Sequence, residues 1–348
     1  MAPSIQDPAN FPWNPNNIQF PSRKELPKLA GAPEGAAWVW GKDDYLGRLN
    51  LLTPQRVKEA ISEVQTGEMV RLDLPLHIPE PPAFGRQPFE HKITELAPGI
   101  AYDDSYSLNT QSGTQWDGFR HCAHIQTQTF YNGTKPSDIL GPTPTPNKCS
   151  IHHWAQHGIA GRAILLDYWT YAQTHSKAYD PYKRHPITLS ELKACAQWQG
   201  LNLAPQSQGG DIKVGDILLV RSGFVHRYDS LSPADRKAGA LRDSHTDMEW
   251  AGVSQGEEMK DWLHDCYFAA VAGDSPTFEC WPAPAGEPTE FLHSSILALW
   301  GMPLGEMWDL EKLAERCRER GRWVFFLTSA PANVLGGVGS HANATAIL

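Results

Sequence analysis

"RAILLDYW", "TLSELKACAQWQG" and "DILLVRSGF", residues 162–169, 188–200 and 216–224, set an apolar run, a segment with helix signals at both ends, and a second apolar run in succession. The middle segment opens on Thr188 with Glu191 three residues on, a pair in which each side chain can bond the other's backbone N–H, and it closes on Gly200. The flanking runs are short and rich in Leu, Ile and Val, and they end in polar or glycine-containing turns, as buried strands do. Strand, helix and strand in this order predict an α/β fold.

Outward from this unit the same alternation continues. "CYFAAVAGD" (266–274), "SILALWGMPL" (295–304) and "RWVFFLTSA" (322–330) read as further buried strands, and "EMVRLDLPLHI" (68–78) alternates like a half-buried one. "TPQRVKEAISEVQTG" (53–67) reads as a helix, with Thr53 as its cap, Pro54 at its first position and Gly67 as its stop. "DLEKLAERCRERG" (309–321) reads as another, preceded by Asp309, basic in its last turn and followed by Gly321. The expectation is a mixed, buried sheet flanked by helices. No internal repeat or low-complexity linker divides the chain, so residues 35–348 are expected to form a single α/β domain. Residues 1–34, polar and proline-rich, are expected to form an irregular arm anchored by Phe11, Trp13 and Phe20.

Composition narrows the function classes. The 348 residues are 41% hydrophobic and 20% charged, which suits a globular chain with a substantial core. A net charge of −9 argues against a nucleic-acid partner. No stretch approaches the roughly 20 apolar residues of a membrane span, and the start of the chain lacks a secretory pattern. The six cysteines are scattered without a CxxC pair, as reduced thiols of a cytoplasmic protein would be.

Candidate chemistry concentrates in "NTQSGTQWDGFRH" (109–121), where Asp117 and His121 stand four apart and glutamines occupy 111 and 115. An aspartate–histidine pair can act as acid and base or hold a metal, and it can equally stabilise a loop. Trp116, Phe119, Tyr131 and Trp40 are candidates for an aromatic pocket wall, with core packing the alternative for each. The turns after the strands carry Asp167, Arg221, Asp274 and Glu306, residue types that more often cap loops than catalyse. Arg221 is a candidate to hold a substrate carboxylate or carbonyl oxygen, with a salt bridge as its commoner fate.

The chain resembles the cyclase family of metal-dependent amide and lactam hydrolases, which includes bacterial kynurenine formamidase and isatin hydrolase. The family signature H-x-G-T-H-x-D-x-P-x-H is matched by Gln111-Ser-Gly113-Thr114-Gln115-Trp-Asp117-Gly-Phe-Arg-His121. "WGKDDYLGRLNLLTP" (40–54), "GDILLVRSGF" (215–224), "AAVAGDSPTFE" (269–279), His293 and "GMPLGEM" (301–307) are similar to further family segments in the same order. The form "TQSGTQWDGFRH…FYNG" is most like the larger fungal members. The resemblance implies a swivelling β/β/α architecture in a homo-oligomer, a dimer or tetramer. It also implies a metal cluster whose surviving members are Asp117, His121, His293 and Glu306.

The departures decide the chemistry. Two metal-binding imidazoles are replaced by Gln111 and Gln115, whose amides are weaker ligands for zinc, and the motif's proline is replaced by Phe119. The four survivors suit one divalent zinc, manganese or iron ion, or metal-free acid–base work. The leading expectation is a hydrolase of a small cyclic or formylated amide, lactam or lactone. Asp117, His121 and Glu306 would be catalytic, and Gln111, Gln115, Trp116, Phe119, Tyr131, Trp40 and Arg221 would bind substrate. A metal-independent lyase or cyclase of secondary metabolism using His121, and a catalytically inactive small-molecule binder, are the alternatives.

Overall fold

The strand–helix–strand unit is present in the computed structural model of the protein, which describes residues 11–242, 247–283 and 291–348. In chain order the described strands are β1 (Met69–Arg71), β2 (Glu90–Ala97), β3 (Ala101–Ser107), β4 (Gln115–Asp117), β5 (Ile159–Leu166), β6 (His185–Ile187) and β7 (Ile217–Val220). There follow β8 (Ala251–Val253), β9 (Ala270–Gly273), β10 (Leu304–Glu306), β11 (Val324–Ser329), β12 (Gly339–Ser340) and β13 (Ala344–Ile347). One nine-stranded sheet has the order β1-β13-β11-β5-β7-β9-β10-β4-β12. Its centre, β5 to β10, is parallel, and its two wings are antiparallel. The protein is thus mixed α/β.

The sequence explains this layout. β7 reads Ile-Leu-Leu-Val and β9 reads Ala-Val-Ala-Gly, and every residue of both is buried, as central parallel strands covered on both faces must be. The helix Leu189–Trp198 begins where Thr188 Oγ1 accepts the Glu191 N–H (3.3 Å) and the Glu191 carboxylate accepts the Thr188 N–H (3.0 Å). Leu189, Leu192, Cys195 and Ala196 form its buried stripe. The helix Glu311–Arg320 ends on left-handed Gly321. Its basic end is held to the sheet side, with Arg316 and Arg320 both reaching Glu68. No helix among the described residues is long and apolar enough to cross a membrane.

Three readings change. The run 295–304 is not one strand: Ser294–Leu299 is a wide helical turn, and only Leu304–Glu306 joins the sheet. Ile296, Leu297, Ala298 and Leu299 are all buried, and a short segment buried on every side has no periodicity to separate helix from strand. The alternating run 68–78 yields only the three-residue β1, because Leu74 leaves the ladder to bond Thr114 Oγ1 and Pro75 has no N–H to give. The hairpin β2–β3 lacks a clear sequence signal and stands out from the body as its own two-stranded sheet. Of the arm's expected anchors, Trp13 is buried and Phe20 packs on the core, whereas Phe11 is exposed.

Candidate active site

β4 runs antiparallel to β10 with Gln115 opposite Glu306 and Asp117 opposite Leu304. Side chains alternate along a strand, so Gln115, Asp117 and Glu306 share one face and Trp116 takes the other. Gly118 follows, and a Cβ there would lie 2.3 Å from the Val338 carbonyl oxygen, so only glycine fits against that segment. The chain then turns so that the His121 N–H bonds the Gly118 carbonyl (2.9 Å), bringing the imidazole back toward Asp117. His293 enters from the opposite side at the start of the 294–299 turn, its ring centroid 6.2 Å from that of His121.

Asp117 Oδ1 accepts hydrogen bonds from Gln111 Nε2 (2.6 Å) and Gln115 Nε2 (3.2 Å). Gln115 Nε2 also donates to Glu306 Oε2 (2.7 Å). The glutamines therefore act as donors that fix the two carboxylates, leaving Asp117 Oδ2 and Glu306 Oε1 turned toward the imidazoles. Asp117 Oδ2 lies 3.7 Å from Nε2 of both His121 and His293, too far for hydrogen bonds, and is buried without a partner among the described residues. His293 Nε2 is 2.9 Å from Glu306 Oε1, and its Nδ1 is 3.0 Å from Glu279 Oε1. At the rim, Arg86 donates to the Gln111 carbonyl (2.5 Å) and lies over the Phe84 ring.

The electrostatics separate the four groups. Burial alone would raise the Asp117 carboxyl, but the His121 and His293 imidazoles and the Gln111 hydrogen bond hold it below the usual range. Burial and the neighbouring Asp117 charge push Glu306 up to about 7, against the pull of His293. Burial lowers the His121 imidazole below its ordinary value against the pull of Asp117, with the nearby charges of His293 and Arg86 acting in the same direction as burial. His293 resists the same burial because Glu279, Asp117 and Glu306 surround it, and it is held well above the ordinary histidine value.

The donor set has the chemistry of a cation site. One ligand atom each from Asp117, His121 and His293 can be chosen so that all lie within 4.8 Å of one another, a group that can hold a metal ion. Asp117 Oδ2, unpartnered and facing two Nε2 atoms, is the atom such an ion would satisfy. These residues fit a divalent ion bound by nitrogen and oxygen.

Gln111, Gln115, Asp117, His121, His293 and Glu306 thus come together as the resemblance implied. The expected aromatic wall does not. Trp116 is fully buried behind β4, where it meets Trp308 edge-on and donates to Ser329 Oγ. Phe119 is buried between Tyr131 and Trp154, and buried Tyr131 donates to Asp44 Oδ2 (2.7 Å). Trp40 packs on Trp13 and Phe20 of the arm. Arg221 is occupied by Asp167 and Glu311, both at 2.7 Å, so it is a structural ion-pair centre and not a substrate clamp. Asp274 accepts the amides of Ser222 and Gly223 and acts as a loop cap.

A small aromatic pocket of about 40 Å³ is lined by Phe84, Tyr182, Phe224, Trp250, Met307 and Gln111, and its rings largely pack on one another. A larger cavity of about 560 Å³ lies under the N-terminal arm and includes none of the cluster residues. Sequence reasoning missed Arg86 and Glu279. Glu279 closes the quoted segment "AAVAGDSPTFE", but nothing in its local pattern distinguishes it from an ordinary loop carboxylate.

A mixed α/β sheet that carries Asp117 on β4 and Glu306 on β10, with His121 and His293 facing them from the flanking segments, defines a cyclase-type fold and site. The chain belongs to the cyclase family: the family model described as "Putative cyclase" matches residues 60–280. Among solved structures, one described as a novel cyclase is similar at 27% identity, covering 90% of this chain and 99% of its own, with a TM-score of 0.75. Isatin hydrolase A from Ralstonia solanacearum is 17% identical, covering 80% of this chain and 91% of its own, with a TM-score of 0.50. An isatin hydrolase bound to the product analogue thioisatinate is 16% identical, covering 85% of this chain and 99% of its own, with a TM-score of 0.54. The last two likenesses are of fold. No curated protein matches the sequence.

Proposed function

We propose that the protein is a cyclase-family hydrolase that cleaves a small cyclic or formylated amide, lactam or lactone. The observation that carries this reading is the convergence of Asp117 Oδ2 on two imidazole nitrogens, each at 3.7 Å, with Glu306 beside them. Asp117, His121 and His293 would hold one divalent zinc, manganese or iron ion, which when bound supplies Lewis-acid polarisation of the carbonyl. Glu306 is the acid–base group: its buried carboxyl is raised by burial and by Asp117, and its Oε1 lies 2.9 Å from His293 Nε2 beside the cluster, where it can take and return a proton. It accepts a proton from water as the water oxygen bonds to the carbonyl carbon. It then passes that proton to the departing nitrogen or oxygen as the C–N or C–O bond breaks. Gln115 keeps the Glu306 carboxyl aimed through its 2.7 Å hydrogen bond.

The test is metal content by elemental mass spectrometry on protein purified without a histidine tag, beside turnover on a panel of amides, lactams and lactones. About one divalent ion per chain, lost in His121→Ala, with activity removed by chelation and restored by one added ion, is the expected result. Full activity in a metal-free preparation would overturn the metal-holding version, and no turnover across the panel would overturn hydrolysis.

One observation favours a second reading: the carboxylates are already bonded by glutamine amides, and His121 stands beside Asp117 with no hydrogen bond to it. In that reading His121 moves protons in a dehydration or ring closure. The product's mass separates the two, since hydrolysis adds one water and the alternative adds none.

A further inference from the structure

We propose that Glu279 is the positioning residue of this site, the group that takes the Nδ1 proton of His293 and so fixes its Nε2 toward Asp117 and Glu306. The carboxylate is wholly buried, and its Oε1 lies 3.0 Å from His293 Nδ1. An imidazole presents two different nitrogens, and the hydrogen bond on one decides what the other can do. Without a carboxylate behind it, the His293 ring could turn and offer either atom to the site.

The surroundings hold Glu279 rigidly. Residues 278–281 lie against β8: the Val253 N–H bonds the Phe278 carbonyl (3.1 Å) and the Cys280 N–H bonds the Val253 carbonyl (2.9 Å). Gly252 makes this approach possible, since a Cβ there would fall 2.4 Å from the Glu279 carbonyl carbon. Thr277 Oγ1 donates to the Glu279 carbonyl (2.6 Å) and accepts from Trp250 Nε1 (2.6 Å). Phe278, one residue before Glu279, has φ of 58°, a left-handed conformation that a bulky side chain adopts only under constraint. Met307, one residue after Glu306, has φ of 56°. Each of the two glutamates that bond His293 thus has a left-handed neighbour in the chain, as is common where geometry serves a site. Glu279 Oε2 has no partner among the described residues, so the strength of this buried carboxylate is directed at one imidazole.

The assignment deepens the hydrolase reading and rests on it only for its metal outcome. The experiment compares Glu279→Gln, Glu279→Ala and Glu279→Asp with the unaltered chain by 15N-histidine NMR and by zinc competition against a chromophoric chelator, with thermal unfolding as control. The expected result is a slowly exchanging His293 Nδ1–H signal that is kept in Glu279→Asp, shifted in Glu279→Gln and lost in Glu279→Ala. Zinc affinity is expected to fall roughly 10- to 100-fold in Glu279→Gln, the usual consequence of losing such a partner, and to recover in Glu279→Asp. An unchanged signal and unchanged affinity in Glu279→Gln overturn the proposal. If the unaltered chain takes up no zinc, the metal reading of the site fails, and the Nδ1 signal alone decides the role of Glu279. If Glu279→Ala does not fold, Glu279→Gln, similar in shape, carries the test.

Discussion

Two of the buried ionic groups in this protein, around Arg221 and around Asp117, are built on different rules. Around Arg221 the cation spends its donors on Asp167, Thr170 and both oxygens of Glu311 at 2.7–3.1 Å. This ties β7 to the helices on either side, and the pairing raises the Arg221 pKa despite its burial. Around Asp117 the closest approaches of its Oδ2 to two imidazoles stop at 3.7 Å; among the described residues this oxygen, Gln115 Oε1 and Glu279 Oε2 are buried without partners, as is Asp167 Oδ2 at the Arg221 centre. A network whose opposite charges pair directly serves the fold. One in which a buried carboxylate oxygen faces two imidazole nitrogens beyond bonding distance is arranged for something that arrives.

Substitutions at the two centres should separate cleanly. His121→Ala is expected to lower turnover by roughly 10²–10⁴, the usual range for acid–base or ligand groups, with the thermal midpoint little changed. Arg221→Ala should do the reverse, costing about 3–5 kcal/mol of stability in urea titrations by leaving buried Asp167 unpaired, with turnover per folded molecule retained. If Arg221→Ala abolished turnover at full stability, the division between the two centres would be wrong. Gln115→Leu should show an intermediate pattern, removing a donor from Glu306 and Asp117 at a cost of about 1–3 kcal/mol. A stability equal to that of the parent would show that this amide does not hold the carboxylates.

The smallest effect concerns a third buried group, His264, outside both centres. Burial and then the nearby Arg48 charge lower it to about 4, against the opposing pull of Asp265. The native state thus keeps it neutral while the unfolded chain protonates it near 6.5. Its contribution is complete above pH 6.5 and is lost as the pH falls toward 4, because there the unfolded state binds the extra proton. Thermal midpoints measured from pH 7 to 4 should fall more steeply for the parent than for His264→Gln. Parallel curves would count against this assignment.

Much of this could be read from the sequence because the signals were local. Thr188 and Glu191 cap a helix by a bond that spans only four residues, and the runs around Leu219 and Val271 spell buried strands. The members of the cluster were also legible, but through motif resemblance, since β4 and the 294–306 segment meet only after folding. What failed depended on facing. Trp116 lies between two site residues in sequence, yet strand alternation sends it into the core, and Phe119 and Tyr131 pack on each other instead of on a ligand. Glu279 was invisible because its significance comes from His293, fourteen positions away and on another element.

The register of β4 on β10 has a consequence for how this family can change. Gln115 and Asp117 are placed by main-chain hydrogen bonds to Leu304 and Glu306, which are indifferent to the side chains they carry. The main-chain bonds of this strand do not depend on the side chain at 115, so an amide there in place of the imidazole that the family resemblance implies alters the reagents without redrawing the scaffold. Selection can then explore new chemistry at this sheet edge while the folding code, written elsewhere in β5, β7 and β9, is left intact.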